Sequence, residues 1–123
     1  MQVNIFNPSQ YTGVNRRKIR ALVRKVIATE KRSLSVLNII VADNVYLRKL
    51  NKIYFGKNRA TNVISFNMGT VSEIYVSCTK VKKADDLFYF VIHGLLHIIG
   101  YDHRTRKEQR SMETKCLEYL GHA

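Results

Sequence analysis

Tryptophan is absent from this 123-residue chain, proline occurs once, cysteine twice and glycine six times. So little proline and glycine, with no block of single-residue bias, excludes collagen-like, low-complexity and largely disordered chains. Cys78 and Cys116 are 38 positions apart and in no C-x-x-C arrangement, which excludes a disulfide framework; two buried, reduced thiols are expected. The longest apolar stretch, Leu87 to Ile99, has 13 residues and is broken by His93, Gly94 and His97, short of the roughly 20 needed to cross a bilayer. Met1 to Ser9 lacks a basic region, an apolar run and a small-residue cleavage site, so a cytoplasmic protein without a membrane partner is expected.

Acidic residues are also scarce. Nine Asp and Glu stand against 21 Lys and Arg, a net charge of +12. The shortage is local: residues 1–60 carry 13 basic and 2 acidic groups, residues 61–123 carry 8 and 7. A surface with that excess attracts polyanions through counterion release and steering, and nucleic acid is the commonest cytoplasmic polyanion. At 123 residues and 46% apolar, the chain can bury one core, and a single domain over 1–123 is expected.

What is present alternates strands with helices. Gln2 to Phe6 reads as a strand, stopped by Asn7-Pro8-Ser9. From Asn15, a candidate N-cap, Ile19, Leu22, Val23, Val26 and Ile27 recur at helical spacing. The outer face carries Arg17, Arg20 and Arg24, and the first turn holds Arg16, Arg17 and Lys18, where the helix dipole disfavours cations; these arginines are candidate phosphate contacts. Val36 to Val41 reads as a buried strand, Asp43 caps a helix to about Lys52, and Tyr54 to Ala60 reads as a basic loop. Asn62 to Phe66 and Glu73 to Ser77 read as strands around a turn at Gly69. Asp85 and Asp86 open an apolar helix that Gly100 ends, and Thr105 to Glu108 forms a capping box before a last helix that closes at Gly121. The expected class is α+β, a small mixed sheet packed with helices in two or three layers.

Three of the four histidines fall within eleven residues, His93-Gly94-Leu95-Leu96-His97-Ile98-Ile99-Gly100-Tyr101-Asp102-His103. His93 and His97 leave the same face of a helix one turn apart, and Gly100 lets the chain turn left-handed so that His103 folds back towards them. Three imidazoles suit one zinc ion per chain, or at this level nickel, copper or iron, and leave the fourth position of a tetrahedron for water, the pattern of catalytic sites. Asp102 reads equally as an acceptor orienting a ligand imidazole or as an exposed turn carboxylate. The spacing is that of the zincin helix, H-E-x-x-H-x-x-G-x-x-H, except that Gly94 replaces the glutamate that serves peptidases as general base. A glycine inside a helix costs about 1 kcal/mol relative to alanine, so Gly94 implies close packing of a neighbour.

The run from His93 to His103 resembles the H-G-x-L-H-x-x-G-Y-D-H signature of the YbeY family of bacterial endoribonucleases, also called rRNA maturation factors. Leu50-Asn51, Gly56-Lys57 and Thr61-Asn62-Val63-Ile64-Ser65-Phe66 resemble that family's second block. The resemblance implies an α+β fold and zinc on His93, His97 and His103. It implies cleavage of single-stranded RNA in maturation of the 16S 3′ end and in ribosome quality control, with ribosomal RNA, the small subunit or ribosomal proteins as partners.

This chain departs from the family pattern at three points: Phe55 stands where the family has Arg, Asn67 where it has Pro, and Ser72-Glu73-Ile74 where it has Gly-Asp-Ile, after a shorter loop. If that Arg holds a phosphate, then either Lys57 or Arg59 substitutes for it here or catalysis is weakened. Tyr101, Asp102, Ser65 and Glu73 are candidate catalytic helpers. The alternatives are a non-catalytic zinc-containing RNA-binding assembly factor and, more remotely, a metallopeptidase.

Overall fold

Alternating burial along the first strand, with Val3 and Ile5 inward and Gln2 and Phe6 outward, starts a sheet that is apolar on one face. The computed structural model describes residues 1–121. The elements run β1 (Gln2–Phe6), α1 (Arg16–Thr29), β2 (Val36–Ala42), α2 (Asn44–Phe55), β3 (Val63–Asn67), β4 (Val71–Ser77), a short 3-10 turn (Cys78–Lys80), α3 (Asp86–Ile98) and α4 (Arg106–Leu120). The sheet order is β1-β2-β4-β3. β1, β2 and β4 are parallel, and β3 returns antiparallel to β4. This is the expected α+β class with a mixed sheet.

The larger core joins Leu37, Ile39, Val41, Ile74 and Val76 to the buried faces of α1, α3 and α4. On the opposite face α2 covers a smaller cluster of Ala42, Leu47, Leu50 and Ile64, with Phe66 and Tyr75 packed against it. α3 is buried almost all round, from Leu87 to Ile98, because it lies between the sheet and α4. Among the described residues no helix is long and apolar enough to cross a membrane.

The caps follow the sequence. The Asn15 side chain accepts from Lys18 N and Asp43 from Tyr46 N, while Thr105 and Glu108 form the reciprocal capping box. Two boundaries and two burials differ from expectation. α2 continues to Phe55, so Tyr54 and Phe55 form its last turn rather than a loop; apolar contact with Phe66 holds that turn in place. β4 begins at Val71, because the register Asn67↔Ser72 pairs it with β3 from there. β2 is buried on one face only, with Asn38 accepting from Asn4 Nδ2 at 2.9 Å on the other. Cys116 is buried and free, its thiol pushed up to about 12 by burial, but Cys78 is only half-buried.

Candidate metal centre and its clefts

Two features of α3 fix the histidines. Gly94 lies against the sheet so closely that a Cβ there would sit 2.8 Å from Ile74 Cγ2 and 3.0 Å from Val63 Cγ2; this is the close approach that a helical glycine implies. At the other end Gly100 takes φ +115° and donates to His97 O at 3.1 Å, reversing the chain so that His103 returns to α3. The result is a cluster in which one ring nitrogen from each of His93, His97 and His103 lies within 4.8 Å of the other two. The ring centroids are 4.9 Å (His93 to His97), 5.8 Å (His93 to His103) and 4.4 Å (His97 to His103) apart.

The donor set fits a metal ion. His97 Nδ1 lies 3.2 Å from the Tyr101 carbonyl oxygen; a carbonyl only accepts, so Nδ1 carries the proton and Nε2 keeps its lone pair for a ligand bond. Burial, with His97 and His103 alongside, pushes His93 down to about 4. Burial and His103 also lower His97. Neutral imidazole is the ligating form.

The turn that carries His103 is pinned on each side. Asp102 Oδ1 accepts from His103 N at 2.7 Å, Asp102 Oδ2 pairs with Arg104 Nε at 3.0 Å, and Gln109 Nε2 of α4 donates to His103 O at 3.2 Å. Asp102 therefore shapes the turn as a half-buried carboxylate, and the group that orients the His97 imidazole is the carbonyl of Tyr101.

Two clefts meet at the histidines. One, of about 470 Å³, is lined by His93, His97 and His103 with Ser65, Tyr89, Gln109 and Glu113 among others. The second, of about 740 Å³, is lined by His97, His103, Ser65, Asn67, Phe55, Lys57, Arg59 and Lys80 and by no acidic side chain. Asn51, buried beneath this second cleft, donates from Nδ2 to Arg59 O at 3.0 Å, and its backbone carbonyl accepts from Lys57 N at 3.2 Å, so one α2 residue shapes the basic loop.

Of the residues singled out from sequence, Ser65, Lys57 and Arg59 share a cleft with the histidines. Two expected helpers do not reach it. The Tyr101 hydroxyl donates to Glu30 Oε1 at 2.6 Å, on the α1 side of the turn. Glu73 accepts from the Tyr75 hydroxyl at 3.0 Å, and strand alternation puts both on the α2 face, opposite Ile74 and the metal helix. Arg17, Arg20 and Arg24 line neither cleft. Arg17 and Arg24 are exposed, whereas Arg20 is half-buried and donates from Nε to Val3 O at 3.3 Å.

Sequence reasoning passed over Lys80 and Glu30, and met Asn51 only as part of a motif with no role assigned. Glu30 accepts from Tyr101 and Tyr119 and pairs with Lys115 at 3.9 Å. Its signal was available: apart from the cap Asp43, it is the sole acid in residues 1–60. Lys80 gave none, since only the sheet register brings the end of β4 beside the 57–60 loop.

Comparison with known proteins agrees with this geometry. The family model described as Endoribonuclease YbeY matches residues 4–123. The Endoribonuclease YbeY of Petrotoga mobilis is 32% identical over 122 residues, covering 88% of this chain and 85% of the relative. That of Ehrlichia chaffeensis is 32% identical, covering 98% and 93%. The solution structure of TM1509 from Thermotoga maritima shares the fold, with a TM-score of 0.64 at 21% identity over 98% of this chain and 90% of that one. A histidine cluster of metal-ligand geometry and a family match over nearly the whole sequence lead to one conclusion: this chain belongs to the YbeY family of endoribonucleases.

Proposed function

We propose that the chain is a zinc-dependent endoribonuclease that cuts single-stranded RNA in the cytoplasm, with ribosomal RNA as substrate, in rRNA maturation and ribosome quality control. The observation that carries this reading is the three-histidine cluster opening onto a cleft lined by Lys57, Arg59 and Lys80 and by no acid. His93, His97 and His103 would hold the ion, which when bound supplies Lewis acidity towards a phosphoryl oxygen. The three cations hold the RNA backbone by phosphate contact and draw it in by charge. The Tyr101 carbonyl keeps His97 in the tautomer that leaves Nε2 free. Of the expected helpers Ser65, on β3, lines both clefts and would be the side chain to meet the phosphate there. At the motif position of the peptidase glutamate stands Gly94, with Ile74 and Val63 filling the space beside it.

The test is cleavage of a single-stranded ribosomal RNA fragment by the purified protein and by an identically purified His97→Ala variant, with zinc content measured in both. Loss of both zinc and cleavage in the variant is the expected result. Equal cleavage by the two would expose a contaminant and overturn the reading. Zinc bound by the wild type without cleavage would favour the non-catalytic RNA-binding module, in which chelation unfolds the domain rather than silencing it.

A further inference from the structure

We propose that Phe55 is a stacking platform for an unpaired base of the RNA substrate, placed at the mouth of the cleft that holds His97 and His103; this rests on reading the chain as an RNA-cutting enzyme. Phe55 is the last residue of α2 and 51% exposed, next to Tyr54 at 62%. Exposed aromatic rings in one contiguous patch mark a surface that another molecule covers. The chemistry of that molecule is set by the company Phe55 keeps. Gly56 follows in the left-handed conformation at φ +67°, which ends α2 and turns the chain so that Lys57 and Arg59 line the same cleft as Phe55, with Lys80 joining them. An aromatic face beside a cationic, acid-free groove is the arrangement that binds single-stranded nucleic acid, with phosphates on the cations and a base on the ring.

The ring is also held ready. Phe55 lies parallel to Phe66, 6.0 Å between centroids and 9° between planes. Phe66 is braced edge-on by Tyr54 at 5.2 Å and by Tyr75 at 6.0 Å. A base that lands on Phe55 therefore meets a ring backed by Phe66, which two further rings brace in turn, and less freedom is lost on binding. Phe55 stands where the resembling family carries Arg, a side chain suited to phosphate. At that point this chain offers an aromatic face in place of a cation, while Lys57, Arg59 and Lys80 keep the charge of the cleft. A base inside a duplex has both faces covered by its neighbours, so the platform favours unpaired RNA, and purines above pyrimidines by their larger area.

The test compares the zinc-loaded full chain with Phe55→Leu, which keeps the apolar bulk and removes the π face, and Phe55→Trp, which enlarges that face. Steady-state cleavage of a single-stranded oligoribonucleotide gives KM and kcat, and an oligoribonucleotide carrying one 2-aminopurine reports stacking by quenching of its fluorescence. Phe55→Leu is expected to raise KM by about tenfold with little change in kcat and to abolish the quenching, while Phe55→Trp binds at least as tightly as wild type. Wild-type KM and quenching in Phe55→Leu, in a protein that still cleaves RNA, would overturn the platform and leave the enzyme reading intact. Should Phe55→Leu fail to fold, weaker binding by Phe55→Trp than by wild type would overturn it instead. A wild-type chain that neither binds nor cleaves RNA would take down the enzyme reading and the platform with it.

Discussion

Tyr101 joins two parts of the chain through its two oxygens. Its hydroxyl donates to Glu30 Oε1 at 2.6 Å, across 71 positions of sequence, and its carbonyl accepts from His97 Nδ1 at 3.2 Å. The end of α1 is thus tied to an imidazole of the histidine cluster through one residue. Tyr119 of α4 donates to the same carboxylate, so Glu30 gathers α1, α4 and the metal turn at one point.

Glu30→Gln is therefore expected to lower stability by about 1 to 3 kcal/mol at pH 7, since it weakens charge-assisted hydrogen bonds in a site where little water can replace them. The effect depends on pH. Burial alone would raise the Glu30 carboxyl, but hydrogen bonds from Tyr101 and Tyr119 and the charges of Lys115 and Arg32 hold it below its ordinary 4.5. A group depressed in the folded state stabilises above its unfolded value, and that contribution is lost as pH falls through the folded value. Denaturation midpoints of wild type and Glu30→Gln should differ at pH 7 and converge as pH falls through the lowered folded value of the carboxyl, below its ordinary 4.5; a constant gap would refute the assignment.

Metal affinity should depend on pH less steeply than three ordinary imidazoles would make it. His93, pushed down to about 4 chiefly by burial, carries almost no proton at pH 5.5 and has none to release there. The logarithm of zinc affinity should accordingly fall by no more than about two units per pH unit near that point, where three protonated ligands would give about three. Competition with a chromophoric chelator between pH 5 and 7 measures the slope.

Gly94→Ala sets two effects against each other. Alanine gains about 1 kcal/mol of helix propensity, while its methyl meets Ile74 Cγ2 at 2.8 Å and Val63 Cγ2 at 3.0 Å. Both neighbours are β-branched residues fixed in the sheet, so the clash wins, with a net loss of about 1 to 2 kcal/mol. Gly94→Glu should be worse and should confer no peptidase activity. A raised melting temperature in Gly94→Ala would show that the helix can lift away from β3 and β4.

The two groups of cations should separate in kinetics. Lys57, Arg59 and Lys80 line the cleft beside His97 and His103, so replacing all three by Gln should reduce the salt slope of RNA binding by about three and also lower turnover. Arg17 and Arg24 face solvent on α1, away from both clefts. Their replacement by Gln should reduce the salt slope by up to about two and leave kcat at saturating RNA unchanged. Binding measured across a salt series, beside single-turnover cleavage, distinguishes the groups.

Local chemistry was legible in the chain because it acts over a few residues. The caps Asn15, Asp43 and Thr105, the left-handed turn at Gly100 and the spacing from His93 to His103 each depend on neighbours within one or two turns, and all appear as expected. Even the tight packing at Gly94 was implied by the cost of a helical glycine. Element ends were less legible where contact across the fold sets them: Phe66 carries α2 on to Phe55, and pairing with β3 starts β4 at Val71.

The sequence by itself determined the histidine cluster, the class of fold and the excess of positive charge in the first half. Only the tertiary structure decided which of the cations stand beside the histidines and which side chains hold them in place. Asp102 and Tyr101 show the reason. Both are close to the histidines in sequence, yet one carboxylate is taken up by its own turn and one hydroxyl by Glu30 of a distant helix. Glu73 likewise points to the opposite face, because a strand alternates and the register with β3 sets its phase. Periodicity gives the spacing of side chains within an element; which neighbours those side chains meet depends on how sheet and helices pack, and that is fixed by contacts between residues far apart in the chain.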